Sequence, residues 1–567
     1  MATDFPTNTV SIDEGASVPV GNLAVLTHHN DPARLGANLN ETILDTSNVK
    51  PRMFGKLFER KVDGQIYAQI LYVNNVNIRD QGMHNVVYVA TMANTVYAFD
   101  ADDPQMSDPL WQKNLGPSVP LPDPRIGGNN YNDIAIEIGI VSTPVIALDQ
   151  QANGGDGVIY VVAMTKESND AAGYKHHLHA LDISSGDEVL GGPVQITASV
   201  PGSKTTIDQT KQPPQTQTQQ VTRTFSSYLE NQRAALLYTK GLIFIAFASY
   251  GDHDEGENNP YHGWMLSYDA ATLQQKAVYN VTPHYVVVRS LNSQNQVYID
   301  IQAQGGIWQA GQGPSTDGNG NIYVITGNGL WKPDGSVFTD TIIKLNFSDL
   351  RVLDWFTPFN SQHLTDTDSD LGSSGTLLLP GTDLVMGGGK ESKLYLLHAM
   401  HMGHFDAKTD DGRTAQWFYI HLPDAATHHI HGGPVCWDGP DGLCVYVWVE
   451  NDGAKAFRFA NGHFDVTSTS QGPLGKPISQ GKPLPVSDTL GMPGGALSLS
   501  ANGQNAGSGI VWASHPHNQQ AAKDANQHVV PGILRAYDAG NLSNELWNSE
   551  MDSNDSIGNF AKFNPPT

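Results

Sequence analysis

Histidines crowd a few short stretches of this chain, and imidazole is the side chain that both binds transition metals and moves protons near neutral pH. Of 21 in total, His253 and His262 fall in "YGDHDEG…YHGW", and His176, His177 and His179 in "YKHHLH". His428, His429 and His431 fall in "THHIHGGP", and His515 and His517 in "SHPHN". In "HIHGG", His429 and His431 stand two apart, the spacing that puts both rings on one side of an extended strand. Two such rings with a third from elsewhere, such as His262, form a ligand set for Zn2+ or another transition metal. The same groups serve equally as acid–base catalysts beside Tyr261 or Tyr174, with His431 at the reacting atoms. That chemistry fits a metal- or His-dependent carbohydrate-active enzyme, a lyase or hydrolase. The plainer alternative is a packed His179 and otherwise solvated loop histidines.

Groups so far apart in sequence need a scaffold that gathers them, and the scaffold is written as a repeat. "VVYVATMANTVYAFDADDPQMSDPLW" at 86–111 reads as strand, turn, strand, polar turn and Trp. The pattern returns at 157–189, 241–275, 320–355, 383–403, 443–462 and 508–547. Most copies follow a Gly-rich apolar stretch such as "GIVSTPVI", "SSGTLLL" or "PGGALSL", giving four short strands per unit and no helical periodicity of weight. A lone four-stranded sheet leaves its faces and edges wet, whereas sheets packed face to face round an axis bury them. The expected fold is therefore all-β: a β-propeller of four-stranded antiparallel blades. Seven blades are complete. The stretch "GKLFERKV" at 55–62 and the tail "GNFAKFNPPT" predict a partial eighth closed by the N-terminal strand; the alternative is a seven-bladed ring with the ends packed beside it. Residues 1–54 are read as an extension packing on the propeller and 55–567 as a single propeller domain.

Loop lengths then choose a face. Connections between strands 1 and 2 and between strands 3 and 4 are short, as in "DGNGN" and "DISSGD". Those between strands 2 and 3 are long, as in "TKESNDAAGYKHH" and "SYGDHDEGENNPYH", and so are the inter-blade stretches 115–137, 197–232, 283–304 and 466–490. Strand alternation puts all the long ones on one face, by the axial channel, where function is expected.

A net charge of -25 argues against nucleic acid and anionic membrane surfaces as partners. No apolar run has the length of a membrane span, and "MATDFPTNTVSIDEG" has neither the basic nor the apolar region of a signal peptide. The chain therefore reads as cytoplasmic or as a mature secreted or periplasmic protein. The only cysteines, Cys436 and Cys444 in "CWDGPDGLC", face each other across a turn; they form a cross-strand disulfide or are two small buried residues. No P-loop, "GxSxG", "HExxH" or helix-opening "GxGxxG" occurs, which disfavours nucleotide enzymes, serine hydrolases and zincins.

The stretches "YAFDADD…LW", "HALDISSGDE", "SYDAATLQ" and "AYDAGNLSNELW" resemble the pyrroloquinoline quinone (PQQ)-type β-propeller family, and the resemblance covers nearly the whole chain. By that resemblance Glu167 in "MTKESND" and Asn328 in "TGNGLW" would hold Ca2+. Trp308 in "GGIWQ" would floor the quinone, and Lys390 in "GGGKESK" would touch its oxygens. One of Asp366, Asp368 and Asp370 in "LTDTDSDLG" would be the base. The family's alcohol dehydrogenases carry two adjacent cysteines over the quinone; this chain has none, and no "CxxCH" for a fused haem. The resemblance implies an oxidoreductase acting on alcohols or sugars with Ca2+ and PQQ. The alternatives are the carbohydrate-active enzyme above and a non-catalytic propeller binding a protein or glycan through its long-loop face.

Overall fold

Each repeat folds into one antiparallel sheet in the computed structural model, which describes residues 24–129, 131–150, 156–330, 332, 335–407, 411–520 and 523–567. Trp331 of "TGNGLW" and the first residues of the N-terminal extension, 1–23, lie outside the described residues. Blade 1 is built from Leu71–Ile78, Gly82–Ala90, Thr95–Asp100 and Trp111–Asn114, hydrogen-bonded in that order. The same meander recurs within 145–195, 237–280, 315–356, 377–419, 435–480 and 496–548, making blades 2 to 7. No helix among the described residues is long and apolar enough to cross a membrane.

The repeated Asp at the end of strand 3 has a local cause. Asp100 Oδ1 accepts from the backbone N–H of Asp102 and Asp103, Asp182 from that of Ser184, Asp269 from Thr272 and Asp538 from Gly540. The bonds at Asp100, Asp182 and Asp538 are Asx turns, and that at Asp269 reaches one residue further; each reverses the chain into strand 4. The strand-2 tyrosines join neighbours: Tyr88 donates to Ile183 O, Tyr160 to Ala270 O and Tyr446 to Ala539 O, each in the next blade.

Between blades 1 and 7 the apolar cores are continuous from one sheet to the next; Tyr160, Val162, Leu178, Ile245, Phe247 and Leu266, for example, join blades 2 and 3. The seam from blade 7 back to blade 1 differs. There Leu44, Val49 and Phe54 pack on Trp512 and Trp547 of blade 7, while Val62, Ile66 and Ile70 pack on Val89, Tyr97 and Phe99 of blade 1. The C-terminal tail crosses the same seam, Asn564 donating to Ile66 O and Thr567 to Ile70 O. The chain ends thus fill an eighth sector, but as coil. The stretch 55–62, expected as a strand, forms no ladder; Leu57 is exposed, and Val62 alone of its residues joins an apolar core.

The rest of the N-terminal extension does more than pack on the outside. Ala24–Val25 pairs with Tyr72 and Val73 of blade 1. Main-chain bonds then join Leu26 to Ile146, Pro32 to Thr316, Ala33 to Leu378, Leu35 to Cys436 and Gly36 to Leu499. Residues 24–38 therefore visit the innermost strands of the ring in order. Arg34, fully buried, donates to Thr27 Oγ1 (2.7 Å), His28 O (2.7 Å), Pro314 O (3.0 Å) and Leu236 O (3.1 Å), tying the plug to blades 3 and 4. Replacing Arg34 by Met strands these acceptors without water. It is expected to cost about 3 kcal/mol or more, read as a fall in Tm.

Two other sequence readings are resolved by the fold, the cysteines as two small buried residues and not a disulfide. The long inter-blade stretches near 197–232 and 283–304 carry regular strands. Ser199–Asp208 pairs antiparallel with Gln215–Thr224 and parallel with His284–Leu291, which pairs with Val297–Gln302, forming a sheet outside the ring. Cys436 stands opposite Val445 and Cys444 opposite Trp437, one register apart and on opposite faces of the hairpin. Both are free thiols, Cys436 buried toward blade 5 and Cys444 toward blade 7, and burial pushes both thiol pKa values up.

Candidate functional site

Above the N-terminal plug the axis widens into a cavity of about 390 Å3, within the range of small-molecule and cofactor sites. Its walls come from residues just ahead of the innermost strands and from strand 2–3 loops. They include Asn231, Arg233 and Asp252 of blade 3, Trp308 and Ala310 before blade 4, and Asp368, Asp370 and Ser373 before blade 5. Lys390 of blade 5, His431 before blade 6 and Met492 before blade 7 continue the ring. Tyr67, Tyr131 and Asp133 close it on the blade 1 side, and Lys562 and Phe563 of the tail reach in through the seam.

The Trp308 wall is shaped by backbone. A Cβ on Gly306 would lie 2.8 Å from the indole Nε1, and one on Gly327 would lie 3.2 Å from its Cδ1 and 3.0 Å from Asp370 Oδ1. Glycine at both positions lets two chain segments close on the ring. After Trp308 the chain turns through two consecutive left-handed residues, Gln309 (φ 49) and Ala310 (φ 48). Such strain is kept where a site demands it; here it carries Ala310 to the cavity wall.

On one side lies an Asp–Lys–Asp cluster. Lys390 Nζ stands 2.5 Å from Asp370 Oδ2 and 3.0 Å from Asp368 Oδ2. Burial opposes its charge, but the two carboxylates hold its pKa above the ordinary value. Asn328 braces the pair: its backbone N–H donates to Asp370 Oδ1 (2.8 Å) and its Nδ2 to Asp368 Oδ1 (3.0 Å). Asp252 has a different setting. Burial and the charge of Asp370 push its pKa up to about 6, against the hydrogen bond from Tyr261. Its neighbour Asp254 is pushed up to about 7, first by burial.

Opposite stands Arg233, buried, its guanidinium 4.8 Å from the Phe563 ring centroid and 5.5 Å from that of Tyr67. Its Nη1 and Nη2 have no hydrogen-bond partner among the described residues, and neither do both amide atoms of Asn231 or Oδ1 of Asn328. Burial pulls the Arg233 pKa down and brings that of Lys562 down to about 8.

Of the residues singled out from sequence, Trp308, Lys390, Asp368, Asp370 and His431 line this one cavity, with Asn328 directly behind. Glu167 is not with them: its carboxylate is half exposed and paired with Lys175 at the mouth of a blade 2 hairpin. The Glu167–Asn328 pair expected to hold Ca2+ is therefore not assembled. Asp366 sits on a short helix and accepts from Gln362. His262 is buried elsewhere, bonded to Thr282 and packed on Trp264 and Tyr285, so it joins neither His429 nor His431. Tyr174 donates to Asp123. His515 accepts from Arg535, and His517 pairs with Asp488. Arg233 and Asp252 had no motif to announce them; the only signal was position, at blade 3's axial approach and in its long strand 2–3 loop.

No family model and no curated protein matches the chain. Among solved structures it is similar to the quinohemoprotein alcohol dehydrogenase ADHIIG of Pseudomonas putida HK5, at 14% identity over 93% of this chain and 72% of that one, TM-score 0.48. It is similar also to the quinohemoprotein alcohol dehydrogenase of Comamonas testosteroni, at 15% identity over 95% and 67%, TM-score 0.39. BamB of Moraxella catarrhalis matches at 12% identity over 84% and 96%, TM-score 0.35. The chain's own blades, each a four-stranded antiparallel meander, make its fold a β-propeller.

Proposed function

We propose that the axial cavity binds a flat, anionic quinone of the PQQ kind and that the protein is an oxidoreductase acting on alcohol or sugar hydroxyls. The observation that carries this is Arg233. A buried guanidinium with two free nitrogens is costly unless a ligand completes it, and its planar fork matches a carboxylate. Trp308, Tyr67 and Phe563 supply aromatic surface for a ring system, and Asn231 supplies further unmet donors and acceptors. The residues present fit an aromatic polycarboxylate; they do not fit Ca2+ held through Glu167, and no step is assigned to calcium.

Such a quinone would supply a hydride-accepting centre for oxidation at the carbinol carbon. The chain's contribution is positioning and proton transfer. Arg233 would anchor a carboxylate and set the ring plane, Trp308 would face the ring, and Lys390 would present its ammonium from between two fixed carboxylates. Asp252, with its pKa near neutrality, is the group suited to take the hydroxyl proton. Asp370 is committed to Lys390 and to the Asn328 backbone, which makes it an anchor and not the base.

The test is reconstitution with PQQ. One equivalent is expected to stay with the protein through desalting, seen as quinone absorbance, and to support alcohol-dependent reduction of an artificial electron acceptor. Complete loss of absorbance on desalting would overturn the reading.

A further inference from the structure

We propose that His429, His431 and Glu450 form a site for a divalent transition-metal ion on the rim of the axial cavity. This goes beyond the quinone reading and does not depend on it.

His431 Nε2 lies 2.8 Å and His429 Nδ1 3.4 Å from the two oxygens of the Glu450 carboxylate, and one donor atom from each residue lies within 4.8 Å of the others. Donors at about 2.0–2.1 Å from a tetrahedral ion stand roughly 3.3 Å apart, a spacing that the two His–Glu450 separations bracket. The placement is imposed by the backbone. The two rings come from the extended run into blade 6, and Glu450 from the strand 2–3 loop of the same blade, its N–H bonded to His429 O (3.1 Å). His428 Nδ1 contacts Glu450 O at 3.0 Å, bracing the loop from behind.

The chemistry of the set is that of a working site. Two imidazoles and one carboxylate leave coordination positions open, as catalytic Zn2+ and non-haem Fe2+ centres do. Glu450 is buried, and its two carboxylate oxygens face the two imidazoles, so an oxygen donor stands beside both nitrogen donors where a cation would sit. His431 lines the cavity, and an ion here would offer its open positions to an oxygen of whatever molecule occupies the axis. A second group nearby, His421, His428 and Asp452, is the poorer candidate. Asp452 is taken up by Lys455 at 2.6 Å, and both ring nitrogens of His428 are already engaged.

The probes are Zn2+, measured by competition with a chromophoric chelator, and Co2+, read by its visible spectrum, both on the full chain without quinone. One equivalent of Zn2+ is expected, with Co2+ bands of a low-coordinate N/O site. His429→Ala changes a ring that is 25% exposed and leaves the core intact. It and Glu450→Gln are each expected to weaken Zn2+ binding by about two orders of magnitude, with Tm in the absence of metal near that of the parent for His429→Ala. Absence of stoichiometric binding, or binding unchanged in His429→Ala and lost in His421→Ala, would overturn the assignment.

Discussion

Arg233→Met is expected to weaken PQQ binding by about 100-fold or more, since truncating one partner of a desolvated charge pair costs about 2–5 kcal/mol, and to do so without lowering Tm. The second half of the expectation makes the result diagnostic. In the ligand-free protein Arg233 has free nitrogens and a pKa pulled down by burial; its charge is a liability that the cavity tolerates. Methionine keeps much of the length and the contact with Tyr67 and Phe563 and removes the desolvated charge, a change that is often neutral or stabilising. A structural arginine behaves the other way, as Arg34 should, with its full set of acceptors. Titration by intrinsic fluorescence beside calorimetric Tm separates the two. A lower Tm with unchanged PQQ affinity would mean that Arg233 serves the fold and that the quinone reading has lost its support.

The blades were legible because each strand has one buried face in a repeated context, and because the turns at Asp100, Asp182, Asp269 and Asp538 use the same kind of short-range hydrogen bond. Such a signal survives in a single sequence. The outer sheet was not legible: Gln215–Thr224, "QTQTQQVTRT", is exposed along most of its length, so no alternation of polar and apolar residues marks it. The plug was hidden for the opposite reason. Residues 24–38 pair with partners from all round the ring, and such long-range pairing leaves no local period. Within the site, Trp308 and Lys390 stood next to glycines that exist to let them approach, a pattern visible in "GGIW" and "GGGK". Glu450 had no such marker. It sits in "WVENDG", an ordinary loop in sequence, and only the fold brings it to His429 and His431. The tail, read as an opening strand, instead sends Lys562 and Phe563 into the cavity, a role that depends on ring closure and not on strand propensity.

Asp252→Asn should separate catalysis from stability most sharply. Asp252 lines the cavity in a left-handed turn (φ 52), with its backbone N–H bonded to Ser249 Oγ (2.9 Å) and its side chain accepting from Tyr261. Asparagine retains the shape, the turn preference and an acceptor for Tyr261, and loses only the ability to take a proton. If Asp252 is the base, turnover of the reconstituted protein should fall by about 10²–10⁴, while PQQ affinity changes little. The parent's activity should rise with pH through about 6, as the carboxyl ionises, and that rise should vanish in the variant. Stability must move the other way. The folded-state pKa lies above the ordinary carboxyl value, so the folded protein binds the extra proton, and the parent loses stability as pH climbs from about 4 to about 6. Above 6 it bears the full penalty of a carboxylate held beside Asp370. The variant escapes that penalty and should be more stable at pH 8 by up to about 3 kcal/mol, with the two melting curves converging near pH 4. An active-site acid maintained against its own folding energy is what a functional trade-off predicts. Parallel melting curves across this range together with undiminished turnover would remove Asp252 from the mechanism and leave the cavity without a base.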